Sequence, residues 1–398
     1  MTDTEPTDPR TDPETRTDPE TGTDPETTDN ESTAAATSDA ASERDTDAIL
    51  VASLAESTGK TAITLALARI AQREGDSVGY MKPKGTRLQS NVGKTLDEDP
   101  MLARELLDLE AEMHDLEPIV YSPTFVEQAM RGREDPAELR ERVVEAFETL
   151  AADRDRLFLE GGGEYDIGGI VDLTDVDIAA LLDARVVLVA PYAVPGDIDD
   201  VLAAADTFGD QLAGVVFNDV ADAAYDPLET DVVPFLESRG VPVFGVVPSE
   251  RTLSGVTVAD LADALGATTL VEGDTDGYVE RFSVGAMGPD SALRHFRRTK
   301  DAAVITGGDR AEIHTAALEA PGVRCLILTG GHRPSGAIIG QATDQGLPIL
   351  SVQTDTLTTV ERAEDIVRSG RTRDAETVDR MEDLLSDHAA IDEILDLE

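Results

Sequence analysis

The sequence predicts an α/β protein: a parallel sheet covered by helices on both faces, followed by a smaller second α/β unit. Three observations lead there. From Ile49 onward, short β-branched runs alternate with helical stretches, the pattern of strands each followed by a crossover helix. Several of these runs are continuously apolar, as strands buried on both faces must be. At 398 residues the chain exceeds one ordinary domain, so two cores are expected.

Residues 1–46 repeat variants of Thr-Asp-Pro-Glu-Thr and hold almost no large apolar side chain. Burial there cannot offset the entropy of ordering, so the segment reads as a disordered acidic tail. The first domain is placed at 47–275, with strands expected at 48–53, 77–82, 157–160, 186–190, 214–218 and 241–247. Helices are expected at 61–74, 135–152 and 197–208, with one more at 258–265. The polar, glycine-rich stretch Glu272-Gly273-Asp274-Thr275-Asp276-Gly277 reads as the boundary. The second domain, at 276–398, has strands expected at 302–305, 323–328 and 348–352 and ends in helices.

Charge narrows the classes of partner. Asp and Glu number 81 against 33 Lys and Arg, a formal charge of -48. Such a surface repels phosphate backbones and anionic bilayers, so nucleic acid and membrane are not expected partners. The excess is spread along the chain and resembles the surface of proteins adapted to high salt. No apolar run approaches membrane-spanning length and the first residues are acidic, so a cytoplasmic location is expected. The lone Cys325 lies in an apolar run, which excludes an intramolecular disulfide framework and fits a core residue. Lysine is scarce enough to be informative: Lys60, Lys82, Lys84, Lys94 and Lys300 are the only five, and four fall between residues 60 and 94. Clustered ammonium groups after a first strand point to a phosphate or carboxylate site.

Thr58-Gly59-Lys60-Thr61 joins the first strand to an amphipathic helix. At such a junction the helix presents unpaired N–H groups and its positive dipole end to a phosphate. Gly59 allows close backbone approach, Lys60 supplies a movable charge, and the Thr61 hydroxyl can ligate Mg2+. The Walker pattern would put glycine at 54, or at 53 with one more loop residue, where this chain has Leu54 and Ser53. Gly93-Lys94-Thr95 repeats the tripeptide without a preceding strand and reads as coincidence. A magnesium nucleotide site also needs a carboxylate at the end of a neighbouring strand, and Glu160 supplies one. The three glycines after it, Gly161 to Gly163, would let substrate or phosphate lie against the backbone.

In this order the elements over about 47–270 resemble the dethiobiotin synthetase-like group of P-loop proteins, above all the version at the N-terminus of long phosphate acetyltransferases. The resemblance rests on Gly59-Lys60-Thr61, Tyr80-Met81-Lys82-Pro83, Leu159-Glu160-Gly161, Ser122-Pro123 and Gly214-Val215-Val216-Phe217-Asn218. It implies that Lys82 faces the terminal phosphate of the nucleotide or an acid substrate. It also implies that Glu160 and Asp99 join Thr61 on Mg2+, that Ser122-Pro123 opens the substrate segment, and that Asn218 reads adenine. Lys60 and Lys82 would be the catalytic pair. From about 283 to 368 the chain resembles the DRTGG domain that accompanies this fold, through Ala292-Leu293-Arg294, Val304-Ile305-Thr306-Gly307-Gly308-Asp309-Arg310, Leu328-Thr329-Gly330-Gly331 and Thr354-Asp355-Thr356.

Read physically, Gly307-Gly308-Asp309-Arg310 and Gly330-Gly331-His332-Arg333 are two copies of one strand-end turn, each delivering an Arg (Arg310, Arg333) beside open backbone. They either frame an anion or nucleotide, or are tight turns whose Arg residues make internal or subunit salt bridges. The chain stops at Glu398 without the acetyltransferase catalytic domain, so acetyl transfer by this chain alone is not expected. Three functions fit. The first is an ATP-binding regulator that senses nucleotide or metabolite and acts on a partner acetyltransferase, with homo-oligomers expected. The second is an ATP-dependent carboxylase or amide-forming ligase acting on a small carboxylate or amine. The third is a structural partner with a vestigial P-loop.

Overall fold

The computed structural model describes residues 46–86, 98–250, 253, 255–370 and 375–397. The tail at 1–45 and the second Gly-Lys-Thr at 93–95 lie outside the described residues. In the first lobe the strands are β1 (Asp47–Ser53), β2 (Val78–Met81), the short β3 (Lys84–Thr86) and β4 (Ile119–Tyr121), β5 (Arg156–Glu160), β6 (Arg185–Ala190), β7 (Leu212–Val220) and β8 (Val243–Pro248). Six of them form one sheet in the order β2-β5-β1-β6-β7-β8, every pair parallel, while β3 and β4 pair with each other. The first strand therefore sits in the middle, with β5 on one side and β6 on the other. Open parallel sheets place their sites at the carboxyl ends of such strands.

The helices of this lobe are α1 (Lys60–Glu74), α2 (Glu98–Leu106), α3 (Met113–Leu116), α4 (Pro123–Met130), α5 (Pro136–Ala151), α6 (Asp175–Leu182), α7 (Ile198–Phe208), α8 (Asp222–Pro227) and α9 (Val233–Ser238). Ten of the fifteen residues of α1 are buried. A helix that apolar is a central element, and it holds the loop before it rigidly. Asp135 caps α5 through its side chain, and Pro136 follows at the first helical position, where its missing N–H costs nothing.

The second lobe consists of β9 (Val256–Thr257), α10 (Val258–Leu265), β10 (Thr268–Val271), β11 (Tyr278–Val279), β12 (Arg281–Val284), α11 (Pro289–Phe296), β13 (Ala302–Gly307), α12 (Ala311–Leu318), β14 (Val323–Thr329), α13 (Gly336–Gln345), β15 (Ile349–Ser351) and α14 (Thr356–Gly370). Its sheet runs β10-β15-β14-β13-β12, parallel apart from β10. Cys325 is fully buried there, and burial pushes its thiol up to about 12, so it serves as core.

Two expectations about the domain division differ from the packing. Residues 256–271, placed in the first domain, pack into the second: Val256, Val258, Leu261 and Leu265 share a core with Ile305, Ile327 and Leu350. The polar stretch at 272–277 is thus a loop inside the second lobe, after which β11 returns to pair with β9. The last helices, α15 (Ala375–His388) and α16 (Ile391–Ile394), were grouped with the second domain and instead pack on the first, α15 against α1 and β8. Val378, Met381 and Leu385 recur at helical spacing and join the core of the first lobe. An amphipathic helix carries no mark of which core it will cover. No helix among the described residues is long and apolar enough to cross a membrane.

Candidate nucleotide site

The loop between β1 and α1 turns through two left-handed residues, Ser57 at φ 58° and Gly59 at φ 85°. Gly59 is required twice over. Its φ disfavours any L side chain, and a Cβ there would lie 2.5 Å from the Asn218 amide nitrogen. That amide donates to the Thr58 carbonyl at 2.8 Å, tying the end of β7 to the loop. No side chain caps α1 and no acid stands in its own first turn, so the carboxylate that meets its positive end, Glu160, comes from another strand. The Thr58 hydroxyl is buried without a hydrogen-bond partner.

The Lys60 ammonium donates to Ser53 Oγ at 2.7 Å and to the Gly163 carbonyl at 2.6 Å. Ser53 in turn donates to the Ala55 carbonyl. The residue that breaks the Walker pattern is therefore a holding point for the lysine. Burial lowers the Lys60 pKa, with Asp175 and Glu160 opposing the shift.

Glu160 is 1 % exposed at the end of β5 and is fully engaged. Thr61 Oγ1 donates to its Oε1 at 2.8 Å, and the Tyr80 hydroxyl donates to its Oε2 at 2.7 Å. The Lys82 ammonium lies 3.1 Å from Oε1 and 2.5 Å from Asp99 Oδ2. Thr61 and Asp99 thus both meet Glu160 Oε1, Thr61 directly and Asp99 through the Lys82 ammonium. Among the described residues no set of three His, Cys, Asp or Glu side chains could hold a metal. One hydroxyl and one or two carboxylates suit Mg2+ that keeps waters and arrives with phosphates, and the donors present fit it.

Behind this point lies a second buried pair that the sequence reading left aside. The Lys84 ammonium donates to the Ile167 carbonyl and stands 3.8 Å from Asp175 Oδ1, both side chains fully buried. Burial lowers the Lys84 pKa and raises that of Asp175, each opposed by the other's charge. Asp175 is hard to pick out among 81 acids; its signal is the capping Thr174 before it, which fixes the start of α6. Two of the three glycines after Glu160, Gly161 and Gly162, also answer to this packing. A Cβ on Gly162 would lie 1.9 Å from the Lys84 carbonyl and one on Gly161 2.2 Å from Asp175 Oδ2. At these two positions the missing side chains make room for the protein's own chain, whereas a Cβ on Gly163 would meet only ordinary contacts with Thr86.

Structure thus brings together Thr58, Gly59, Lys60, Thr61, Lys82, Asp99, Glu160 and Asn218. The second candidate site is different. The Gly308 N–H donates to Thr329 O, Gly330 to Thr354 O and Gly331 to Val352 O, so these amides are already used. Arg310 donates to the carbonyls of Gly285 and Met287, while Asp309 and Arg333 are exposed. Internal bracing thus describes the Arg310 turn, while at the other turn the Arg333 side chain is exposed.

Comparison with known proteins matches residues 47–257 to the AAA domain family and residues 260–366 to the DRTGG domain family. Phosphate acetyltransferase of Haemophilus influenzae is 25% identical over 385 residues, covering 88% of this chain and 52% of the relative. That of Pseudomonas putida is 26% identical over 351 residues, covering 83% and 49%. The chain spans about half the length of these relatives and corresponds to their N-terminal region. Among solved structures, the MinD cell division protein of Aquifex aeolicus is 13% identical, with a TM-score of 0.32, covering 52% of this chain and 84% of that one. With its P-loop on a six-stranded parallel sheet and the DRTGG match behind it, the chain belongs to the AAA domain family.

Proposed function

We propose that this protein binds MgATP at Thr58–Thr61 and acts as a nucleotide-responsive regulator of a phosphate acetyltransferase-type partner. The observation that carries the nucleotide half is the Thr61 hydroxyl held 2.8 Å from Glu160 at the uncapped start of α1. In this reading Thr61, Glu160 and Asp99 hold the metal, which neutralises phosphate charge. Lys60 exchanges Ser53 and Gly163 for phosphate oxygens, and Lys82 leaves its two carboxylates for the terminal phosphate. The regulatory half is supported by likeness to one region of acetyltransferases.

A ligand bound only by the folded state raises stability by about 2.7 kcal/mol at a hundred times its Kd. MgATP in high salt is expected to raise the melting temperature of the wild type and to leave Lys60→Ala unmoved. No shift in the wild type would overturn the assignment. A second reading, an ATP-dependent ligase, is favoured by Lys60 and Lys82 both standing beside Glu160. Phosphate release dependent on a small amine or carboxylic acid would move the assignment there.

A further inference from the structure

Charge is sorted unevenly along this chain. Between Arg185 and Arg239 stand eleven Asp and Glu and no Lys, Arg or His. Residues 281–300 are the reverse, with five Lys and Arg and a single acid, Asp290, where the chain average would give about four acids.

Folding turns each stretch into a surface. α11 buries Ala292 and Phe296 and leaves Arg294 and His295 exposed in its last turn, followed by the exposed Arg297, Arg298 and Lys300. Cations in a last turn suit the helix dipole, which accounts for the first two. It does not account for Arg298 and Lys300, which stand beyond the helix, and Arg297 reaches Glu319 only at 3.8 Å. In the first lobe α7 buries Val201, Ala204 and Phe208 and turns Asp199 and Asp206 to solvent two turns apart, with Asp210 exposed just beyond its end. Strands β6, β7 and β8 are neighbours in chain order, so right-handed crossovers put α7 and α9 on the same face of the sheet. Val194 before α7 is 56% exposed and Phe235 on α9 is 43% exposed, so the cation-free stretch also offers apolar contact area. An interface needs such area, since exposed ion pairs alone hold little.

We propose that this protein associates with a second copy of itself, the basic patch at the end of α11 docking on the acidic α7 face of the other copy. That face holds no cation to repel the patch, and it is present wherever the protein is. Two chains this acidic repel at long range, but at about 1 M salt the Debye length is about 3 Å, which removes that repulsion and leaves touching charges. The charges then set the register of the contact more than its strength. Because the two surfaces differ, the contact is made either head to tail or twice across a two-fold axis. The inference stands apart from the nucleotide site.

Sedimentation velocity of the full chain in about 1 M KCl tests it. The wild type should associate as its concentration rises. Arg298→Glu with Lys300→Glu, and separately Asp206→Lys with Asp210→Lys, should each weaken association by about tenfold or more, because each sets like charges face to face. All four positions are exposed, and lysines at the C-terminal end of α7 suit its dipole, so the fold is spared. An equimolar mixture of the two variants should recover the association, since the reversed patch of one meets the reversed face of the other. A wild type that stays monomeric, or variants that associate as it does, would overturn the proposal. So would a loss confined to the basic-side variant, or a mixture that fails to recover. Retention of a single-stranded RNA oligomer by the wild type and not by the basic-side variant would assign the patch to phosphate, and the proposal would fall.

Discussion

Glu160 shows how single residues set the site. Its two oxygens accept Thr61 from the phosphate loop and Tyr80 from β2, so the carboxylate registers the position of both neighbours of its own strand's end. Gly59, Lys60, Thr61, Lys82, Glu160 and Asn218 were readable because each stands at or just beyond a strand end of recognisable pattern. Ser53, Tyr80 and Asp175 were not, because their roles depend on which loop folds back upon them, and nothing local records that. His314 is another residue whose situation only packing reveals. It is fully buried, its Nε2 faces the Gly307 carbonyl at 3.0 Å, and its Nδ1 has no partner. Burial holds its pKa below the ordinary 6.5. The unfolded chain then takes up a proton that the folded chain resists, so stability falls as pH drops below about 6.5, by at most ~1.4 kcal/mol per pH unit. His314→Gln should shrink the loss of stability between about pH 7.5 and about pH 5.5, read from urea midpoints. An identical loss in the variant would show that His314 charges freely in the folded protein.

At the scale of elements, the sheet of the first lobe was legible because two-sided burial writes continuous apolar runs, as in Val186 to Val189. Helices α5, α7 and α10 were legible from their spacing. The pairing partners of short or irregular elements were not. β10 joins its sheet antiparallel with a register shift, and β3 and β4 are only three residues each. The placement of α15 depends on contacts with α1, more than three hundred residues earlier. That placement has a measurable cost. Leu385 is fully exposed to packing and not to solvent, so Leu385→Ala should lower stability by about 2–5 kcal/mol. Leu357, on α14 and 68% exposed, is the control: its replacement by Ala should stay within about 0.5 kcal/mol. Denaturant midpoints compare the two. Equal effects would mean that α15 is not docked on the first lobe in solution.

For the whole molecule, charge decides the balance. Even if every one of the 33 basic side chains paired with an acid, 48 acids would be left over. The ion pairs that do form are local clasps: Arg156 joins Asp47 to Asp76 at one end of the sheet, and Arg185 shares Asp47. Salt weakens such half-exposed pairs, each worth about 0–1 kcal/mol, and this alone would lower stability. The same salt also weakens repulsion among the acids. The Debye length shrinks from about 10 Å at 0.1 M to about 3 Å at 1 M, which removes the many medium-range repulsions while leaving contacts near 2.6 Å less affected. Because repulsive pairs outnumber attractive ones, the melting temperature should rise between about 0.1 M and about 1 M KCl. It should rise equally in NaCl, since screening depends on ionic strength and not on which cation supplies it. Sulfate salts act also by exclusion from the surface, so chloride salts are the proper test. A melting temperature that fell with KCl would mean that the clasps outweigh the repulsion. The acidic excess would then be held too far apart on the folded surface to matter.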